Sequence, residues 1–313
     1  MPFVFLPNGC SWYETHKLGG CQRRARPRPE CMAPPQQQQH QHGKLQHRLA
    51  VLVPHRSIDG SVAPHSLTEL CDRLDAHLKR QGVGYQLFVV NQVDGRPFNR
   101  GALANAAVAM LDTSQRLVPK ARRKRAFDYI AIHDLDRFPV RPNGSASDEL
   151  CARASSSYYS FPTASPRVLH PMSFAGGVLV TPLALYRAVN GFSNAYWGWG
   201  EEDNDLFLRL RWCGLPPVHG ERLDECMEHK DCEACKRQKR LLDAHVLAAH
   251  EKRLRARLPN PRRHMLRDGL STLNFTLRRA IHTIQCGREG NVPAVVMDVD
   301  LRQAPVSMMT HSN

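Results

Sequence analysis

The sequence predicts an α/β domain on a doubly wound, mostly parallel sheet, and three observations carry that prediction. Residues 49–54 form a short apolar run closed by Pro54, as expected of a strand buried on both faces. Strand-like and helix-like periodicities then alternate in the order β-α-β-α-β. The third strand-like run ends in two carboxylates, Asp134 and Asp136, and open α/β sheets carry their ligand sites beyond strand C-terminal ends.

The elements follow in order. Leu67, Leu70, Leu74 and Leu78 give residues 66–82 helical spacing, and a second strand is predicted over 85–93. A helix starts near Arg100 and runs through an Ala-rich segment to Leu111. Residues 129–133 alternate and are β-rich, which makes them the third strand. Residues 176–180 read as a further strand with glycines at its mouth, and residues 202–212 as a helix. After Gly214 the chain turns basic and helical, roughly over 231–258, before a strand-like 292–299; there is no internal repeat.

A chain of 313 residues, 42% of them hydrophobic, can bury a full core. The expected organisation is a low-complexity, disordered arm over 1–47, a catalytic domain over 48–305 with a basic helical extension at about 231–258, and a tail over 306–313. The net charge of +14 comes largely from clusters at 120–125, 236–240, 252–257 and 262–263. Such clusters form a solvated basic face or attract a polyanion, either an acidic acceptor polypeptide or a glycosaminoglycan. No zinc-finger, RRM or helix-turn-helix pattern accompanies them, so nucleic acid is not the expected partner.

Ten cysteines include Cys226, Cys232 and Cys235, close to His229. That spacing is compatible with zinc, but no second Cys-x-x-Cys is present, and disulfides of an oxidising compartment are the preferred reading, with connectivity open. Asn143 and Asn274 begin glycosylation sequons, which matter only in a luminal or secreted chain.

Residues 197–205 (WGWGEEDND) pack two tryptophans, two glycines and four acids into nine positions. Glycines let the backbone approach a ligand, flat indole faces suit the apolar faces of sugar rings, and carboxylates bond to or deprotonate hydroxyls. The pair Asp134 and Asp136 can hold a hard divalent cation that neutralises a diphosphate; an acidic strand-to-turn corner is the plain structural alternative. Asp203, as a helix N-cap, has such an alternative too, and one compatible with catalysis.

With these residues in view, the chain resembles the β-1,4-galactosyltransferases, most closely the branch that galactosylates xylose. The matching blocks are residues 49–56, 90–94, 98–103, 129–136, 169–171, 176–178 and 197–203, in order and with similar spacing. The resemblance implies the GT-A fold, a Rossmann-like doubly wound sheet. It also implies an inverting, Mn²⁺-dependent transfer of galactose from UDP-galactose to a β-xyloside such as xylosyl-serine, in a β-1,4 linkage. The alternatives are a relative acting on N-acetylglucosamine or glucose, and an inactive carbohydrate-binding relative.

Carried over residue by residue, the resemblance makes Asp203 the catalytic base. Pro54, Arg56, Phe98, Arg100, Asp134, Phe174, Gly176 and Gly177 would bind the donor, with Phe98 stacking on uracil. Trp199, Glu202 and Asn204 would bind the acceptor, and Asp136, His229 and Met227 would hold the metal. Three departures stand out: His55 lies where the family has Phe, Phe174 where it has Tyr, and Asn204 where it has a second Asp. The resemblance also implies a Golgi-luminal enzyme with an N-terminal anchor, yet no apolar run here approaches the roughly 20 residues that span a bilayer.

Overall fold

The computed structural model describes residues 47–56, 65–117, 127–139, 159, 166–169, 176–219, 227–229, 244–279 and 281–302. Strand β1 (Arg48–His55), helix α1 (His65–Arg80), strand β2 (Gly84–Gln92), helix α2 (Arg100–Leu117) and strand β3 (Tyr129–His133) wind in the expected β-α-β-α-β order. β1 lies between β2 and β3 and is parallel to both. Its apolar run is continuous because both faces are covered, and seven of its eight residues are buried.

Alternation along the strands divides the core into two layers. Ala50, Leu52, Ile130 and Ile132 join the Ala-rich face of α2 on one side of the sheet. Leu49, Val51, Val53 and Ala131 meet Leu67, Leu70, Leu74 and Leu78 of α1 on the other. All four leucines are at most 1% exposed, and each contributes about 1.5–3 kcal/mol by burial. α2 continues to Leu117, past the expected end at Leu111, since no Gly or Pro interrupts it.

The remaining strands are β4 (Arg137–Pro139), β5 (Arg167–Leu169), β6 (Val178–Pro182), β7 (Val218–His219), β8 (Met227–His229), β9 (Phe275–Leu277), β10 (His282–Cys286) and β11 (Val292–Leu301). The large sheet has the order β10-β11-β2-β1-β3-β6-β5-β7, with β9 also on β11, while β4 and β8 form a separate ribbon. β11 runs parallel to β2, which makes a four-stranded parallel centre. β6 is antiparallel to β3, and β9 and β10 are antiparallel to β11.

The other helices are α3 (Leu183–Ala188), α4 (Glu202–Trp212), α5 (Ala244–Arg257) and α6 (Pro261–Arg267). α5 is the described part of the expected basic extension; 231–243, the arm over 1–46 and the tail beyond 302 lie outside the described residues. Cys71 of α1 is bonded to Cys286 of β10, and Cys213 is also disulfide-bonded, so every described cysteine is in a disulfide. Cys226, Cys232 and Cys235 lie outside the described residues, as does Asn143; Asn274 is exposed. Among the described residues no helix is long and apolar enough to cross a membrane.

Candidate active site

The site begins where β3 ends. The Asp134 N–H donates to the Gly177 carbonyl (3.1 Å), and the Arg137 N–H donates back to the Asp134 carbonyl (3.3 Å), which bends the chain sharply through Asp136 into β4. The Arg100 Nε donates to Asp134 Oδ1 at 2.6 Å, and its Nη2 reaches the Gly177 carbonyl at 3.4 Å. Arg100 is placed by the start of α2, where Asn99 Oδ1 accepts from the Ala102 N–H (2.9 Å) as an N-cap. His133 underpins the corner, its ring lying 2.9 Å from both the Asp134 carbonyl and the Tyr159 hydroxyl. Burial lowers its pKa to about 4, so it is neutral at pH 7.

The Trp-rich loop is tied to the same corner, since the Gly198 N–H donates to the Phe98 carbonyl at 2.7 Å. Gly198 and Gly200 have φ of +90° and +105°, a region that penalises any side chain, and Glu201 follows at φ +70°. This winding leaves Trp197 buried, with Arg96 over its ring, and Trp199 52% exposed. α4 begins immediately afterwards with Glu202 and Asp203 in its first turn, where the helix dipole favours negative charge.

Electrostatically, three carboxylates surround one cation. Burial lowers the guanidinium pKa of Arg100, but Asp134, Glu202 and Asp203 outweigh it and the net shift is upward. Burial, and then the Glu202 charge, push Asp203 well above the ordinary carboxylate value; Glu202 is also raised, chiefly by burial. Among the described residues, Glu202 Oε2, Arg100 Nη1 and Asn204 Oδ1 are buried without a hydrogen-bond partner. A raised carboxylate beside unmatched polar atoms suits proton abstraction from a bound hydroxyl.

Asn204 is largely engaged already: it is buried, and its Nδ2 donates to Glu201 Oε2 at 2.7 Å. An Asp at 204 would face Glu201 as a like charge.

The supporting residues escaped the sequence reading. Asp205 accepts from Arg209 Nε (2.7 Å), from Arg257 of α5 and from the Tyr196 hydroxyl (3.1 Å). Burial alone would raise its pKa, but Arg209 and Arg257 hold it below the ordinary value. Asp268 accepts from Arg257 Nη2 (2.8 Å), from the Asn194 N–H (2.9 Å) and from the Ser193 hydroxyl. Asn105 of α2 donates to the Phe192 carbonyl and to Asn194 Oδ1, both at 2.8 Å. Together these bonds fix residues 192–196, from which the Trp-rich loop springs. Five of these bonds join residues 52 to 89 apart in sequence, beyond the reach of local motif reading.

Of the other predicted residues, Pro54 ends in register with Val90, and Arg56 donates to the Arg96 carbonyl beside Phe98. Gly176 and Gly177 are buried at the mouth of β6. Phe174 lies outside the described residues. For the metal residues the backbone is informative: β4 pairs with β8 so that His229 opposes Arg137 and Met227 opposes Pro139. His229 therefore stands one register step from Asp136. Among the described residues no group of three or more His, Cys, Asp or Glu is arranged so that it could hold a metal ion.

Comparison with known proteins defines the class. A model of the N-terminal region of glycosyl transferase group 7 matches residues 23–143, and one described as the N-terminal domain of galactosyltransferase matches residues 161–230. The two follow one another along more than half of the chain, which belongs to this galactosyltransferase family.

Among individual relatives, the chain is 36% identical to β-1,4-galactosyltransferase 7 of Drosophila melanogaster over 184 residues, covering 58% of this chain and 50% of the relative. It is 30% identical to the xylosylprotein 4-β-galactosyltransferase of Caenorhabditis elegans, covering 52% and 50%. The chain thus spans about half the length of the curated relatives it matches. A crystal structure of the catalytic domain of Drosophila β-1,4-galactosyltransferase 7 with xylobiose superposes at a TM-score of 0.59 and 26% identity, covering 82% of this chain and 95% of that one. A mutant of that enzyme with manganese, UDP-Gal and xylobiose shares the fold at a TM-score of 0.54 and 24% identity, over 82% and 95%.

Proposed function

We propose that this chain is an inverting UDP-galactose:β-xyloside β-1,4-galactosyltransferase. The observation that carries the reading is the gathering of Asp203, Glu202 and Asp134 around the buried guanidinium of Arg100, with Glu202 and Asp203 following the exposed Trp199 closely in the chain. The acceptor ring lies on Trp199, and Glu202 and Asn204 line its hydroxyl side. Asp203 takes the proton of the attacking hydroxyl as that oxygen bonds to the anomeric carbon. The bond from that carbon to the diphosphate oxygen breaks on the opposite face, and UDP leaves with the electron pair. A single displacement converts an α-linked donor into a β-linked product.

Pro54, Arg56 and Phe98 hold the nucleotide, Arg100 and Asp134 its ribose side, and Phe174, Gly176 and Gly177 the galactose. Asp136 and His229, with Met227 beside them, would hold Mn²⁺, which when bound neutralises the diphosphate. A carboxylate at a strand corner and a histidine one register step away form a donor set that suits this cation. The relatives named above and their xylobiose and UDP-Gal complexes support the substrate pair. Disulfides at every described cysteine support an oxidising compartment, and we place the enzyme in the Golgi lumen.

The test is incubation of purified protein with UDP-galactose, Mn²⁺ and a panel of glycosides. β-Xylosides should be galactosylated in preference to β-glucosides and β-N-acetylglucosaminides. Preference for N-acetylglucosaminides, or no transfer to any glycoside, would overturn the reading.

A further inference from the structure

We infer that α5 and α6 form a docking surface for acidic residues of the acceptor polypeptide, so that the protein flank as well as its sugar is recognised. The inference deepens the proposed function and rests on it for the identity of the acceptor.

Residues 244–267 carry seven Lys and Arg against one acid, Glu251. An indifferent solvated helix would mix the signs, so this imbalance needs a cause. Two of the cations turn inward: Arg257 is paired with Asp205 and Asp268, and Arg253 lies over the Tyr196 ring at 5.6 Å. The other five, Lys252, Arg255, Arg262, Arg263 and Arg267, are exposed. Glu251 lies 3.6 Å from Arg255, an exposed contact that does little to cancel the field.

The surface sits beside the acceptor platform. The His250 ring lies close to the backbone of Trp199 and Gly200, and it meets the Tyr196 ring edge-on at 5.2 Å. A Cβ built on Gly200 would come within 3.3 Å of Leu247 Cδ1. α5 therefore backs directly onto the Trp-rich loop through positions 247, 250, 253 and 257. At 3.6 residues per turn, Lys252 and Arg255 fall on the opposite side of the helix. Around the helix surface they stand about half a circumference, roughly 16 Å, from the loop, which an extended chain spans in about five residues. The surface thus fits carboxylates about five or six residues from a serine whose sugar is seated on Trp199. Charge complementarity favours an acidic peptide; other polyanions are outcomes of the test.

The full chain and the variant Lys252→Gln/Arg255→Gln/Arg263→Gln are compared on xylosyl-serine peptides with acidic or neutral flanks, and on a simple aryl β-xyloside. For the parent protein, acidic flanks should lower KM by about 3- to 10-fold at low salt, the yield of two or three exposed charge pairs, with kcat unchanged. The advantage should vanish in 0.5 M NaCl, on the order of a 3–5 Å screening length, and in the variant. KM for the aryl xyloside should be the same in both proteins. Equal KM for acidic and neutral peptides, or an acidic preference that survives in the variant, would overturn the inference. So would a variant that loses only heparin or RNA retention. Binding of the same peptides without donor, followed by fluorescence anisotropy, decides the matter even if no transfer is seen. Absence of transfer to the aryl xyloside would count against the proposed function instead.

Discussion

Replacing Arg257 with Met should cost about 3 kcal/mol of stability, and the figure follows from what the guanidinium touches. Asp205 has only 3% of its side chain exposed, with Arg209 on one oxygen and Arg257 on the other. Removing one partner of a buried ion pair costs about 3–5 kcal/mol, because a charge is left uncompensated. Here Arg209 and the Tyr196 hydroxyl remain, which places the cost at the low end. Met retains the aliphatic stem beside Tyr196 and so isolates the charge.

Urea denaturation at pH 7 with disulfides intact measures the loss. The pH dependence supplies a second reading. Asp205 is held below its ordinary value in the folded state, so its stabilisation is present above about pH 4 and is lost as pH falls through the folded value. The difference between parent and variant should therefore shrink on acidification below about pH 4. A loss under about 1 kcal/mol at pH 7, or a difference that widens in acid, would refute the assignment of Arg257 as the partner of Asp205.

Three further outcomes follow from the site and the covalent frame. Asp203→Asn should leave UDP binding nearly intact while lowering kcat by about 10²- to 10⁴-fold; since Asp203 is raised by burial and then by Glu202, the acid limb of the kcat profile should lie above the usual carboxylate range, and Glu202→Gln should move it to lower pH. Asp136→Ala should abolish Mn²⁺-dependent UDP binding and His229→Ala should weaken it, as read by Mn²⁺ titration; parent-like affinity in the His229 variant would pass the ligand role to another residue. Cys71→Ala with Cys286→Ala opens a link across 215 residues and should cost roughly 2–5 kcal/mol by urea denaturation, and an unchanged midpoint would show that the bond constrains little.

The strands and the acidic corner were legible because each is written locally. β1 and β3 are apolar runs with a fixed period, and Asp134, Asp136 and residues 197–205 bring unusual residue types close together. The apparatus that holds them was not legible. Asp268 bonds to Asn194 across 74 residues, and Asn91 to Asp298 across 207, through ordinary polar side chains that any surface could carry. Position 204 shows the same limit. As a sequence, Asn204 reads only as a departure from the family's second Asp at an acceptor position; in three dimensions its amide restrains Glu201 within a crowd of carboxylates.

β11 occupies an interior place in the sheet, between β10 and β2, although it is among the last described segments in the chain. During synthesis β2 must therefore wait with one edge unpaired for about 200 residues, tens of seconds at ribosomal rates of roughly 5–20 residues per second. An apolar edge left open that long is a template for the wrong partner. Asp268, which pins the segment before the Trp-rich loop, arrives equally late. Sheet closure and assembly of the acidic site are thus one late event. A nascent chain halted before β11 would present a sticky edge, and one halted before Asp268 would also lack a preorganised site, which makes this fold dependent on whatever shields its first half while the second is being made.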